Sequence, residues 1–395
     1  MERQRITELD LIRGFMLASM ALDHGTSLTR LMGRASPSVV TLSQFLPSST
    51  AELFFLLSGY LFGHARLAQA EAFNRQIVRD SWYRAWQLYA YNAVTLVVIA
   101  AALHWAQPVL IEASRFGRIA TDPFGGLLDF MLLQTAPFGL DVLQVYIVFL
   151  MLAPAFAAVM FWRPPLAVGW LAATWLGMQV LEHTIGFAHD ETIAINLWSW
   201  QSLFFGGMIL GAGRAYGPIA GTILRRPAVV WAAGLVVAVL MVLTIGQRYA
   251  HWLGFPGPLW TIPSADRATL GPVRVLSFLS LLVLMIWVSR RFELVDTRIG
   301  RLFTLLGRHS LAAFCASNVG LYGVALAWQQ TGLVAVYVAA EALLLGFMFA
   351  WVAFTDAFAP RRGRAADRVP SEAPQARRDA GGGRPLPLQR TFPAM

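Results

Sequence analysis

Arg13 and His24 stand eleven residues apart in LDLIRGFMLASMALDH, a segment otherwise almost wholly apolar. A helix turns about 100° and rises about 1.5 Å per residue, so the two share one face about 16 Å apart. Asp10 precedes Arg13 by three residues, a spacing at which helix side chains pair, and Asp23 adjoins His24. An ionisable residue inside a membrane span costs about 2.5–3.5 kcal/mol on insertion scales, so four on one segment demand a reason. Two readings stand. In the structural one, Asp10 and Arg13 form an interfacial ion pair, while Asp23 and His24 mark the other helix end. In the functional one, the four make a polar line bordering a path through a helix bundle. Arginine would then hold phosphate or carboxylate at one end, and histidine would act as general base deeper in.

The next apolar segment, SSTAELFFLLSGYLFGH, adds Glu52 near the depth of Asp23 and His24. Glu52 either orients His24 or ends its own helix. Ser58, Gly59 and Tyr60 interrupt the apolar run at mid-membrane, where glycine permits close helix approach. Further polar groups are scattered: Arg84, Gln87 and Asn92; Asp141 and Gln144; Gln201; Arg308, His309 and Asn318; and Glu341. Taken singly, each reads as hydrogen-bonded packing between helices. His183, His189 and His251 read as loop or edge residues rather than metal ligands. Trp198, Trp200 and Trp260 fit an interfacial belt, with stacking on a saccharide as the other use.

These groups need elements to hold them, and composition says which. The chain has 395 residues, 57% hydrophobic and only 13% charged. Soluble domains carry about 25% charged residues, so a disordered chain is excluded and an ordinary cytosolic enzyme is disfavoured. The expected fold is an all-α, polytopic membrane helix bundle. A span needs about 20 mainly apolar residues. Ten segments qualify, near 9–31, 51–67, 86–106, 138–161, 165–181, 196–216, 227–246, 270–289, 309–328 and 333–357. The stretch 124–134 is shorter and suits an interfacial or re-entrant helix. The first segment is no cleaved signal peptide, because charged residues interrupt it.

All 31 basic residues are arginine, which excludes a lysine nucleophile or Schiff base. Most of them fall on loops that share a side with the N-terminus, which places both termini in the cytoplasm. On that topology Arg13, Arg79, Arg84, Arg308 and His309 gather at the inner mouth. Residues 1–358 read as the transmembrane domain and 359–395 as a disordered basic cytoplasmic tail. The net charge of +9 comes without a basic stripe interleaved with aromatics, so nucleic acid is not an expected partner. The single cysteine, Cys315, excludes a disulfide framework and a cysteine-based zinc site. No P-loop, dinucleotide fingerprint, metal-ligand run or GxSxG motif occurs.

With arginine, ten residues and then histidine, LDLIRGFMLASMALDH resembles the first-helix signature of the acyltransferase-3 superfamily of membrane acyltransferases. AELFFLLSGYLFG is similar to its second-helix signature. The whole run resembles the OpgC family, which succinylates osmoregulated periplasmic glucans. RAWQLYAYN, DVLQVYIVFLMLAP, WSWQSLFFGGMILG and LGRHSLAAFC match in order and spacing, and the resemblance covers roughly residues 5–355.

The resemblance implies a multi-pass inner-membrane O-acyltransferase with no permanently bound cofactor and no metal. Acyl-CoA, carrying succinyl or acetyl, would be the co-substrate, and a periplasmic glucan the acceptor. His24 matches the family's essential histidine and Arg13 its partner arginine. Asp23 or Glu52 would orient the imidazole. Asp10, Arg13, Ser58, Tyr60, Arg84, Gln201, Arg308 and His309 are the substrate-binding candidates. The family pattern allows a polar residue, often histidine, near position 318; Asn318 stands there, which removes a second histidine function. Two other functions compete. A secondary transporter or flippase would share the polar helix face, but no inverted repeat or matched pair of broken helices is visible. A non-catalytic membrane partner of glucan synthesis would tolerate alanine at the polar positions.

Overall fold

Apolar runs punctuated by proline set many of the helix borders. Pro164, Pro227 and Pro272 each open a helix, where the missing N–H would have had no partner anyway. The computed structural model describes residues 6–33, 41–185, 196–250 and 254–358. The expected tail at 359–395, with His189 and His251, lies outside the described residues. Residues 3–358 form one unit; the other, residues 1–2 and 359–395, also lies outside them.

The fold is all-helical, and no strand occurs among the described residues. The chain runs α1 (Thr7–Leu31), α2 (Leu42–Phe45), α3 (Thr50–Phe62) and α4 (Arg75–Ala102). Three short helices follow, α5 (Pro108–Ala113), α6 (Gly117–Thr121) and α7 (Pro123–Met131). Then come α8 (Asp141–Trp162), α9 (Pro164–Ile185), α10 (Leu197–Ala212), α11 (Tyr216–Arg225) and α12 (Pro227–Arg248). The last four are α13 (Pro272–Arg291), α14 (Arg298–Arg308), α15 (Ser310–Thr331) and α16 (Val334–Phe358).

Six helices are long and apolar enough to cross a membrane: α4 with its extension to Trp105, α8, α12, α13, α15 and α16. Each covers one of the ten expected segments. The remaining four segments are also helical but fall short of that measure. The helices α1 and α9 have the length, at 25 and 22 residues, but not the apolarity. At 13 and 16 residues, α3 and α10 are too short. The expected helix within 124–134 is α7, whose Asp129 pairs with Arg118.

Burial explains how short helices survive in such a chain. Most side chains of α3 and α10 are buried, and the two helices pack directly on each other. A Cβ on Gly59 would overlap the Phe204 carbonyl, and one on Gly207 would overlap the Leu56 carbonyl. Only glycine lets the backbones come this close. Around this pair Phe55, Tyr146, Phe149, Trp200 and Phe204 meet edge to face or stacked. In contrast, α12 and α16 expose large apolar side chains, with Trp231 78% and Leu343 72% accessible. Such faces suit lipid rather than water.

The first helix is anchored in the same way. A Cβ on Gly14 would overlap the Phe303 carbonyl, and one on Gly307 would overlap the Asp10 carbonyl. Hence α1 and α14 lie backbone to backbone. The polar line of α1 runs on an unbroken helix with one end fixed against α14 and the start of α15.

Candidate active site

His24 lies on the wall of a chamber of about 340 Å³ near the C-terminal end of α1. The lining includes Asp23, Thr26 and Arg30 of α1, the segment Ser43–Gln44 and the turn Pro47–Ala51. Arg248 at the end of α12, Arg267 and Arg274 of α13 complete it. The His24 ring meets Phe138 edge to face, with centroids 5.6 Å apart. Among the described residues its two nitrogens have no hydrogen-bond partner. The imidazole is therefore held by packing and left open to a ligand.

Neither expected carboxylate orients that ring. Asp23 accepts hydrogen bonds from the hydroxyls of Thr41 and Ser43, one on each oxygen. Glu52 takes the second of its two expected roles. Its Oε2 accepts from the Ser49 amide at 2.9 Å and the Ser49 hydroxyl at 2.6 Å, which caps α3. Its Oε1 pairs with Arg274 Nε. Asp141 opens α8 three residues beyond Phe138, whose ring packs on His24. Asp141 Oδ1 also accepts from the Val142 amide at 2.9 Å.

Behind His24, α1 touches a buried acid on α16. Gly25 leaves room for the Glu341 carboxylate, since a Cβ there would overlap Glu341 Oε1. Tyr337 donates to Glu341 Oε1 at 2.9 Å, and its hydroxyl lies 3.0 Å from Thr26 Oγ1. A hydrogen-bonded line thus leads from a chamber residue into the bundle.

The other end of α1 collects a second polar group. Arg13 Nη2 donates to Ser310 Oγ at 2.7 Å, and its guanidinium sits 5.7 Å from the Phe54 ring. Arg308 and His309 are in the same turn as Ser310, and His309 Nε2 lies 2.9 Å from Asp356 Oδ1. Asp10 is buried where α1 meets α14. At the start of α1, Glu8 accepts from Arg290 Nε at 2.8 Å and from the Tyr216 hydroxyl. Burial and that carboxylate both push the Tyr216 phenol above its ordinary range, so it stays a donor. Tyr216 meets the Tyr60 ring at 6.1 Å, and Tyr60 stacks on His64.

The remaining candidates are placed apart. Ser58 is buried in α3 with no partner for its hydroxyl among the described residues. Arg84, on α4, donates to Gln87 Oε1 at 3.3 Å. Gln201 faces α9: Trp170 Nε1 donates to it at 3.4 Å, and its own amide donates to the Trp198 carbonyl at 3.1 Å. Asn318 lies behind the loop that carries Phe138, against Gly139. Among the described residues, no three His, Cys, Asp or Glu side chains gather as a metal site.

Sequence reasoning missed the cationic wall. Arg274 falls inside the apolar segment 270–289, where a charge needs a partner as much as Arg13 does. That signal was present, although nothing in the sequence names Glu52 as the partner. No such signal marks Thr41 and Ser43, at the four-residue α2, or Arg267, in loop sequence. A family model described as OpgC protein matches residues 5–359 of the chain. No curated protein and no solved structure matches it.

Proposed function

The chain belongs to the OpgC protein family, and we propose on that premise that it is a membrane O-acyltransferase. Membership gives it a role in the modification of osmoregulated periplasmic glucans. The acyl group, succinyl or acetyl, comes from cytoplasmic acyl-CoA, and glucan hydroxyls receive it in the periplasm. The acyltransferase-3 superfamily is the wider group to which this chemistry belongs. The bundle crosses the inner membrane about ten times with both termini in the cytoplasm. The arginine-rich end of α1 then faces the cytoplasm, and the His24 chamber opens toward the periplasm.

The observation that carries this reading is His24, an imidazole with no hydrogen-bond partner among the described residues on the wall of a polar chamber. A free ring nitrogen can take a proton from a sugar hydroxyl. The hydroxyl oxygen attacks the thioester carbon, the new C–O bond forms, and the C–S bond breaks. His24 then passes its proton to the leaving thiolate. Asp141, three residues beyond the Phe138 that packs on the ring, is placed to play the part of the acidic partner in acyl-transfer triads.

Donor binding falls to the other end of the same helix. Arg13, Arg308 and His309 take the coenzyme phosphates, for which guanidinium geometry is suited, while Arg84 stands apart on α4. Asp10 fixes the local packing. The donor arm spans the distance of about 16 Å between Arg13 and His24. The Ser58 hydroxyl and Tyr60 border that route. Gln201 is left out, because Trp170 and Trp198 engage its amide.

The test is mass spectrometry of periplasmic glucans from a deletion strain complemented with wild type or His24→Ala. The expected result is a defined acyl mass increment with wild type and none with the variant, at equal membrane levels of the two proteins. Equal acylation by both would remove His24 from the chemistry. Unmodified glucans in both would overturn the proposed acceptor.

A further inference from the structure

The proton transfers at His24 leave one demand of acyl transfer unmet. When a hydroxyl oxygen adds to a thioester carbon, the carbonyl oxygen takes up negative charge. Donors fixed in advance at that point supply the largest single share of many enzymatic accelerations. Such a donor must be held rigidly, must line the chamber, and must keep N–H groups free of protein acceptors.

Arg274 meets these conditions. It is 6% exposed and lines the chamber that His24 lines. Its Nε pairs with Oε1 of the fully buried Glu52, and Ser49 holds the other oxygen of that carboxylate. One turn along α13, Ser277 Oγ lies 2.8 Å from Ser48 Oγ, a second tie between this helix and the turn before α3. The loop that leads into α13 is pinned through its carbonyls. Trp200 Nε1 donates to Arg267 at 2.9 Å, Gln179 Nε2 to Thr269 at 2.6 Å and Trp175 Nε1 to Leu270 at 3.0 Å. The guanidinium is therefore set in place before any ligand arrives. Its terminal nitrogens have no hydrogen-bond partner among the described residues.

A guanidinium carries five N–H donors in one rigid plane, along more than one edge. One edge of Arg274 is spent on Glu52, and the rest is available to the chamber. At about 340 Å³ the chamber is small, so a carbonyl brought to His24 also comes within reach of its cationic wall.

We infer that the terminal N–H groups of Arg274 form the oxyanion site of the acyl transfer. This rests on the acyltransferase reading above and adds a catalytic residue to it. His24 takes the proton of the acceptor hydroxyl as its oxygen bonds to the thioester carbon. The π pair of the carbonyl moves onto the carbonyl oxygen, to which Arg274 donates hydrogen bonds. The pair then returns to re-form the C=O bond, the C–S bond breaks, and the thiolate takes the proton from His24. Arg274 keeps all its protons throughout. Glu52 holds the guanidinium and is a positioning residue.

The experiment uses the full-length protein in detergent, with acetyl-CoA and, separately, succinyl-CoA as donor and a neutral glucan as acceptor. Arg274→Lys is the first variant. Its ammonium still neutralises Glu52, which is all that a structural role asks, but it has no second edge to offer the chamber. The value of kcat should fall about 10²–10³-fold with both donors, while KM for each stays within about twofold. Thermal unfolding should stay close to that of wild type. Glu52→Gln/Arg274→Met removes both members of the buried pair, so neither is left charged and alone. It should show the same loss of kcat, and it decides the matter if the lysine variant fails to fold.

A folded variant with wild-type kcat would overturn the inference and leave Arg274 structural. A fall confined to succinyl-CoA would make Arg274 a contact for the acyl terminus and likewise overturn it. So would a rise in KM with kcat unchanged, which marks binding of the ground state. Wild type inactive with both donors would sink the underlying acyltransferase reading, and this inference with it. Failure of the inference alone leaves wild type active.

Discussion

Arg13 Nη2 donates to Ser310 Oγ at 2.7 Å, which ties the polar face of the first helix to the turn holding Arg308 and His309. These residues are almost 300 positions apart in sequence, and each belongs to a segment picked out for its charge in apolar surroundings. The bond makes them one site.

Arg13→Lys should therefore raise KM for acyl-CoA about tenfold or more, with a smaller change in kcat. Lysine keeps the charge but loses the planar fork that reaches Ser310 and an incoming phosphate together. Ser310→Ala should shift KM the same way but less. Steady-state kinetics with varied donor would show this, and an unchanged KM in both variants would take Arg13 out of donor binding.

Asp23 and Asp141 should separate in a kinetic comparison with His24. Asp23 is spent on Thr41 and Ser43, so Asp23→Asn should lower kcat by less than tenfold. Asp141→Asn removes the acid proposed as the partner of the ring and should cost about 10²-fold or more. The reverse order would restore Asp23 as the orienting carboxylate.

The buried pair of Arg274 and Glu52 gives a stability prediction. Either Glu52→Gln or Arg274→Met leaves a buried partner alone and should cost about 3–5 kcal/mol. The double variant should recover much of that loss. Thermal unfolding in detergent measures it, and additive losses would mean that the two side chains do not depend on each other.

Close packing of α3 on α10 predicts a contrast between neighbouring glycines. Gly59→Ala and Gly207→Ala each drive a methyl into a carbonyl and should cost about 1–3 kcal/mol. At Gly206 a Cβ would meet nothing within 4 Å, so Gly206→Ala should be neutral or slightly stabilising. Equal midpoints for all three variants would contradict the packing described.

Much of this was legible in the sequence because membrane helices make charge conspicuous. Asp10, Arg13, Asp23 and His24 stand out against apolar neighbours, and Ser49 with Glu52 is a recognisable capping box. The gaps have physical causes. A search for about 20 apolar residues treats every span alike. It cannot tell a helix facing lipid, such as α12, from a short one sheathed by others, such as α3. Asp23 finds its partners at α2, a helix of four residues that is too short to show a periodic pattern. Arg274 lies one turn inside an apolar helix, but no pattern in the sequence names the helix that supplies its partner Glu52. Glu52 itself could be read two ways, and only its contacts decide between them.

The glycine seam between α3 and α10 has a consequence for how substrates reach the chemistry. Where backbone carbonyl rests on backbone Cα, no side chain can change rotamer to absorb a slide. Rocking one half of the bundle against the other would have to break this seam or go around it. The centre of the molecule therefore behaves as a fixed keel, with His24 on a helix docked beside it. On the proposed function, donor and acceptor would each travel to a stationary ring from opposite faces, which suits a relay across the membrane and not a carrier that turns itself inside out.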